Sequence, residues 1–495
     1  MRKALLLPIA LLALQACGGD NSNSSIDMTV IDSPDMPIPG DMAKGPVNKG
    51  TLILPSAQFV GLTADDYAVA YTGAKGGVSV APLAGGTATV VDSGGLYVAI
   101  SNKAVFSWSG VSTSNTVGAL TVWSSGMTTP RMVTSMSTNG IASASADGTY
   151  IAYADNSVNG AATDIKVGKL DGTGATTTVV TNADSANTAC AINVGNFGKG
   201  FFVSYCTGSS AMDMGTTIAH FTYIDPTATT PAGVAVAADA TIFGGDTAGD
   251  KALYVDSAKN LYYTVVPPAG AATLVDTNVT SAFMKADGSA MVWTTTGGSL
   301  KHATMAAIGT PTVFSATGAE EILAISADES TAVVTDAAPD ATTGLSKLAT
   351  ISLTAASAPV ALTTAPTGVL YGPAFTADSK TVLWYDGSAN NVATFHQTPL
   401  ATGISATIAD KVWNHNLASG TKIVMMDAYK AGSSATVTGT ADLSLYDLAS
   451  GTKTLIANGV QATNTIEVSK DKSKVAYDYQ TKTAGQSGVY AASAQ

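Results

Sequence analysis

The sequence predicts an all-β chain folded as a single β-propeller of eight to ten four-stranded antiparallel blades, closed by pairing its N-terminal strand into its C-terminal blade. Three observations carry that expectation. An acidic hairpin turn recurs at Asp65 (TADD), Asp147 (SADG), Asp287 (KADG), Asp328 (SADE), Asp378 (TADS) and Asp471 (SKDK). The intervals are multiples of about 45 residues, the length of one four-stranded blade. The composition is low in charge and rich in turns, with 12% charged residues, 7% aromatics and 49 glycines in 495 residues. Finally, the last unit shows three strand-like runs, NTIEVS, KVAYDY and GVYAAS, while TLILP at 51–55 is a spare run ahead of the first unit. Pairing the two ends removes the exposed edges that an open sheet would present. Two smaller propellers are the alternative, but no Pro/Ser-rich linker interrupts the middle of the chain.

The unit is clearest at 139–180. GIASAS and YIAYAD flank Asp147-Gly148, a strong local hairpin signal. DIKVGKL follows, and a second turn at Asp171-Gly172 leads into ATTTVV. Where the acidic turn is missing, turns are expected near Asn102-Lys103, Gly198-Lys199, Ala248-Gly249 and Ser419-Gly420, each between two β-type runs. Trp108, Trp123, Trp293, Trp384 and Trp413 lie in strand-like runs and read as core between blades.

Ser145, Asp147, Gly148, Ile151, Ala152 and Tyr153 resemble the TolB-type, WD40-like (PD40) propeller repeat, a Ser-x-Asp-Gly turn followed by an Ile-Ala-Tyr/Phe strand. The resemblance covers about residues 50–495 and implies the fold rather than a function. Glu329, Ser379 and Lys472 stand where that repeat carries glycine. The helical second domain that accompanies the propeller in TolB has no counterpart, so its partners do not carry over.

Ahead of the repeats, Arg2 and Lys3 precede a short apolar stretch, Ala4 to Ala13, too short to span a bilayer in the usual way. It ends in Leu14-Gln15-Ala16-Cys17-Gly18, which resembles the lipobox of bacterial lipoproteins. The resemblance implies a signal peptide at 1–16, an acylated Cys17 partnered with the lipid bilayer, and, with Gly18 next, an outer-membrane lipoprotein of the cell envelope facing periplasm or cell surface. Residues 17–49, rich in Ser, Asn, Asp, Pro and Gly, read as a flexible tether, and 50–495 as the propeller.

A net charge of -12 with no basic run argues against nucleic acid, which requires clustered Lys and Arg. Two cysteines remain after Cys17. Counting outward from a turn centred near Gly198 sets Asn193 opposite Val203 and Cys190 opposite Cys206, and an oxidising compartment favours a disulfide between them; the alternative is two buried thiols.

With the four strands of a unit lettered A to D in order, strand B ends repeatedly in an acid, at Asp155, Asp256, Asp336, Asp386, Asp427 and Asp478. In a propeller the B–C loops and the D–A connections share one face, so these carboxylates would form a broken ring there. One reading is a cation site, possible for Ca²⁺, since hard cations take several carboxylate oxygens. The other is a local turn in which each Asp satisfies its own backbone. Tyr429 and Tyr479 beside this set are candidate contact residues, and the longest B–C loops, at 207–217, 336–346, 427–442 and 478–488, are the natural place for function on a rigid ring. His220, His302, His396 and His415 are scattered over different units and read as packed polar side chains. No HExxH, GxSxG, P-loop or Asp-box signature occurs. The favoured reading is a non-catalytic binding or scaffold protein for a protein, peptide or glycan ligand, without a cofactor. The alternative is a propeller enzyme, a metal-assisted hydrolase or lyase using the carboxylates of the B–C face.

Overall fold

The computed structural model describes residues 47–495 apart from 74–75, 113, 160–161, 185–191, 208–217, 239, 338–344, 365–366, 369–372, 390–391, 433–438, 463–464 and 482–484. The expected signal peptide, Cys17, Cys190 and most of the long B–C loops lie outside the described residues.

Ten four-stranded antiparallel sheets form the blades. Blades 1 to 5 run over 57–92, 95–138, 142–184, 193–237 and 240–276. Blades 6 to 9 run over 279–315, 321–361, 374–412 and 414–461. Blade 10 takes three strands from 467–493 and its fourth from 51–55. Strands are lettered A to D from the axis outward. Each blade touches the next, and blade 10 touches blade 1, so the ring is closed. The closing strand pairs Thr51 with Ala491, Leu52 with Tyr490 and Leu54 with Val489. The expected turns at 102–103, 198–199, 248–249 and 419–420 all lie between strand A and strand B.

The core lies in the seams between blades. Strand B is apolar on both faces because it is covered on both. In blade 3, Ile151 and Tyr153 pack toward Phe106 and Trp108 of blade 2, while Ala152 and Ala154 pack toward Phe201 and Val203 of blade 4. One such cluster fills every seam, including Leu54, Phe59, Ala476 and Val489 between blades 10 and 1. Trp108 and Trp293 are fully buried in this way, and Trp123 and Trp384 nearly so.

The inner edge of each sheet would leave backbone N–H groups of strand A without strand partners, and side chains of the preceding blade supply acceptors. Ala144 donates to Ser101 Oγ, Ile322 to Ser281 Oγ, and Leu62 to Glu467 Oε2, at 3.1, 2.8 and 2.6 Å. The outer edges are blunted differently. The ladder to strand D carries a bulge in every blade except blade 7, whose outer strand is two residues long. Bulges and short edge strands discourage pairing with other chains.

Two sequence expectations need correction. The turn near Gly198 is a two-residue turn, Gly198-Lys199, with Phe197 opposite Gly200. Asn193 therefore faces Ser204 and not Val203, because a two-residue loop shifts the count by one from a turn centred on one residue. Second, the end of the expected tether is not loose chain. Lys49 donates to the Ile456 carbonyl at 3.0 Å, Asn458 donates to the Val47 carbonyl at 3.0 Å, and Tyr477 Oη donates to Asn48 Oδ1 at 2.6 Å. These residues pair with the outer strand of blade 9 before the chain turns into blade 10, since that edge offers unmet backbone groups.

Candidate functional site

The ring has two unlike faces. On the A–B face the repeated turn builds one geometry again and again. Ser145 Oγ donates to Asp147 Oδ1 at 2.6 Å and accepts from the Tyr150 N–H at 2.9 Å, and Asp147 Oδ1 accepts from the Thr149 N–H at 3.0 Å. The same bonds recur around Ser326-Asp328-Ser330, Thr376-Asp378-Lys380 and Ser469-Asp471-Ser473. Hydrogen bonds from Ser469 and Ser473 hold the Asp471 carboxyl down to about 2. Asp328 and Asp378 are lowered in the same manner, by Ser326 and Thr376 first.

Three residues at the glycine position of the turn, Glu329, Ser379 and, in TADD, Asp66, join neighbouring turns. Glu329 Oε1 accepts from Ala286 N–H of the preceding blade at 2.7 Å, Ser379 Oγ accepts from Asp328 N–H at 3.1 Å, and Asp66 Oδ1 accepts from Lys470 N–H at 2.7 Å. All three acceptors have positive φ, 55°, 61° and 64°. The left-handed backbone costs a side chain on the order of 1 kcal/mol, and the inter-blade hydrogen bond offsets it. Between blades 4 and 5 the solution is the reverse: a Cβ on Gly249 would lie 2.2 Å from the Gly198 Cα, so two bare turns pack directly.

The B–C face carries the predicted carboxylates, which share a strand end but not an environment. That B–C loops and D–A connections lie together is seen at blade 7, where Leu345–Ser346 pairs with Thr367–Gly368. Asp155 is buried; its Oδ2 meets Lys166 Nζ at 2.6 Å, and Thr134 of blade 2 donates to Oδ1. Burial pushes this carboxyl up, and the hydrogen bonds from Lys166 and Thr134 outweigh it to leave it below its ordinary value. Asp427, 1% exposed, forms an ion pair with Lys453 of its own blade, yet burial keeps its carboxyl above the ordinary range. Asp478, also 1% exposed, accepts from the Phe59 N–H of blade 1 at 2.7 Å.

Asp256 makes a local turn, accepting from Ala258 and Asn260 N–H, each at 2.9 Å. Asp336 and Asp386 are exposed. The six acids therefore do not converge. No group of three His, Cys, Asp or Glu side chains suited to a metal ion occurs among the described residues. Tyr479 is buried at 7% exposure with its ring edge-on to Tyr490, so it is core and not a contact residue; it alternates onto the seam side of strand B. Tyr429 is half-buried and stacks on Trp413, ring centroids 4.9 Å apart.

The histidines are packed as expected, His220 on Tyr205, His302 on Phe314 and His396 on Trp384. His415 is held near pH 4 by burial. Cys206 is buried on strand B of blade 4. Sequence reasoning missed a second set of acids at the ends of strand D. Asp92 accepts from Ser107 Oγ of blade 2 at 3.1 Å. Asp276 accepts from Trp293 Nε1 and Lys301 Nζ of blade 6, both at 2.7 Å. The shared endings TVVD and TLVD were the available signal.

Neither a protein-family model nor a curated protein sequence matches the chain. Solved structures similar in fold include the tricorn protease, 13% identical over 88% of this chain and 52% of that chain, with a TM-score of 0.32. TolB from Acinetobacter baumannii is 12% identical over 59% of this chain and 76% of that chain, at a TM-score of 0.27. The C-terminal WD40 domain of Sif2 is 12% identical over 56% and 75%, at 0.32. The chain spans about half the length of the tricorn protease. These likenesses are of fold alone, and the ten blades themselves establish the propeller.

Proposed function

We propose that this chain is a lipid-anchored, exported propeller that binds a protein, peptide or glycan through its B–C loop face and catalyses no reaction. The observation that carries the reading is the division of labour between faces. The A–B turns are bonded to one another, whereas the B–C side combines a rigid strand framework with exposed acids, Asp336 and Asp386, and long loops. Rigid scaffolds with variable loops are suited to recognition. The same reading takes Cys17 as the acylated residue, the outer membrane as the anchor site, and Cys190–Cys206 as a disulfide stiffening blade 4.

The test is capture of envelope components by cross-linking, with the loops at 336–346 and 427–442 exchanged for short turns. Loss of specific products supports the reading, and unchanged capture overturns it. In parallel, Cys17→Ser should release the protein from membranes, and non-reducing peptide mapping should find Cys190 joined to Cys206. The competing reading, a metal-assisted hydrolase or lyase, requires a calcium-dependent rise in Tm that Asp427→Ala abolishes.

A further inference from the structure

We propose that the junction of blade 10 with blade 1, where the two ends of the chain meet, is a pH-dependent joint that is tightest in acid and loosens as the pH rises through neutrality, with the Asp478 carboxyl as the group that titrates.

The geometry singles out this carboxyl among its counterparts. Asp155 and Asp427 each face a lysine, Lys166 and Lys453. The Lys166 position lies opposite Tyr153, two residues before the acid on strand B; in blade 10 the corresponding pair is Ala476 and Ala491. Asp478 thus has no cation, and its Oδ2 is buried with no hydrogen-bond partner among the described residues. Its other oxygen joins strand B of blade 10 to Phe59 on strand A of blade 1. That bond links the C-terminal part of the chain to the N-terminal part.

Among the described residues, the groups around it leave the charge uncompensated. Its own strand carries Lys474, Tyr477 and Tyr479, and Lys474 Nζ donates to the Leu83 carbonyl. Strand C brings Tyr490, strand A of blade 10 brings Glu467, and strand D of blade 9 brings Lys453, which is held by Asp427. Strand A of blade 1 brings no titratable side chain. A neutral carboxyl suits this site and a carboxylate does not. Burial pushes Asp478 up to about 8. The sign follows from linkage. The unfolded or opened state loses its proton near pH 4 and the closed state only near 8, so closure is favoured in acid and weakens steadily between those values.

The experiment is hydrogen exchange on the full chain from pH 5 to pH 9, comparing wild type with Asp478→Asn. The amide keeps an oxygen for the Phe59 N–H and cannot ionise. We expect the ratio of protection, variant over wild type, at the Leu54, Phe59 and Val489 amides to rise by at least about tenfold between pH 5 and pH 8. At Ile151 and Val203, in the seam between blades 3 and 4, it should stay within about twofold. A ratio at the junction that does not change with pH overturns the proposal. Infrared spectroscopy of the wild type supplies a second readout that does not depend on the variant folding. A protonated-carboxyl stretch present at pH 7 and lost above pH 9 is expected, and its absence at pH 7 overturns the proposal equally.

Discussion

The A–B and B–C faces of the ring use the same residue, aspartate, in opposite ways. On the A–B face Asp287, Asp328, Asp378 and Asp471 sit in tight turns, where nearby hydroxyls and N–H groups favour the charged form. On the B–C side Asp427 and Asp478 are carried into seams, where burial favours the neutral form. The difference teaches that an acid at the start of strand B meets one recurring local environment, whereas an acid at its end meets a different one from blade to blade. At the start of the strand the turn is local and wet. At the end the side chain can turn into a seam, as those of Asp155, Asp427 and Asp478 do, or stay at the surface, as those of Asp336 and Asp386 do.

Both faces hang on one closed ring, so the largest effect is expected from breaking closure. Leu54→Ala on the closing strand should lower stability by about 2–5 kcal/mol, read from chemical denaturation, because a fully buried seam residue is lost. Removal of residues 1–46 should leave stability within about 0.5 kcal/mol, since among the described residues pairing begins at Val47.

Next in size are the turns. Ser145 is buried and serves three groups, Asp147, Tyr150 N–H and the Tyr150 carbonyl. Ser145→Ala should cost about 0.5–1.5 kcal/mol, because the turn loses these partly buried hydrogen bonds. Glu329 sharpens the comparison further. Glu329→Ala removes the bond to Ala286 N–H but keeps a side chain at φ 55°, while Glu329→Gly relieves that strain. The alanine variant should be less stable than the glycine variant by about 1 kcal/mol, by thermal or urea melting.

The faces should also differ in pH response. Asp471 is lowered to about 2, so its contribution is present above pH 4 and is lost as the pH falls through 2. Exchange protection at the Ser473 amide should therefore fail in strong acid, while protection at Phe59, which bonds to Asp478, is highest there. The smallest expected change in stability, within about 0.5 kcal/mol, is for Asp386→Asn on the exposed B–C surface, measured by the same melts.

Much of this was legible in the residues. Asp147-Gly148 between GIASAS and YIAYAD specifies a hairpin by local chemistry, and the recurrence of that turn specifies the blade. The spare run at 51–55 predicted closure because a three-stranded last blade needs a partner. Less legible were the fates of the strand-end acids. Asp155 and Asp478 occupy the same position in their blades, yet one meets Lys166 and the other, among the described residues, meets only Phe59 N–H. Tyr479 looked like a contact residue because it directly follows Asp478 at the edge of a long loop, and strand alternation turned it inward.

What the amino-acid sequence determined alone is whatever depends on neighbours a few residues apart: the hairpins, the apolar strand B, and the Ser-x-Asp turns. Tertiary structure decided the count of ten, the use of Glu329, Ser379 and Asp66 as bridges between turns, and the protonation of Asp478. Those follow from contacts between residues 40 to more than 400 positions apart, which only the closed ring brings within hydrogen-bond range.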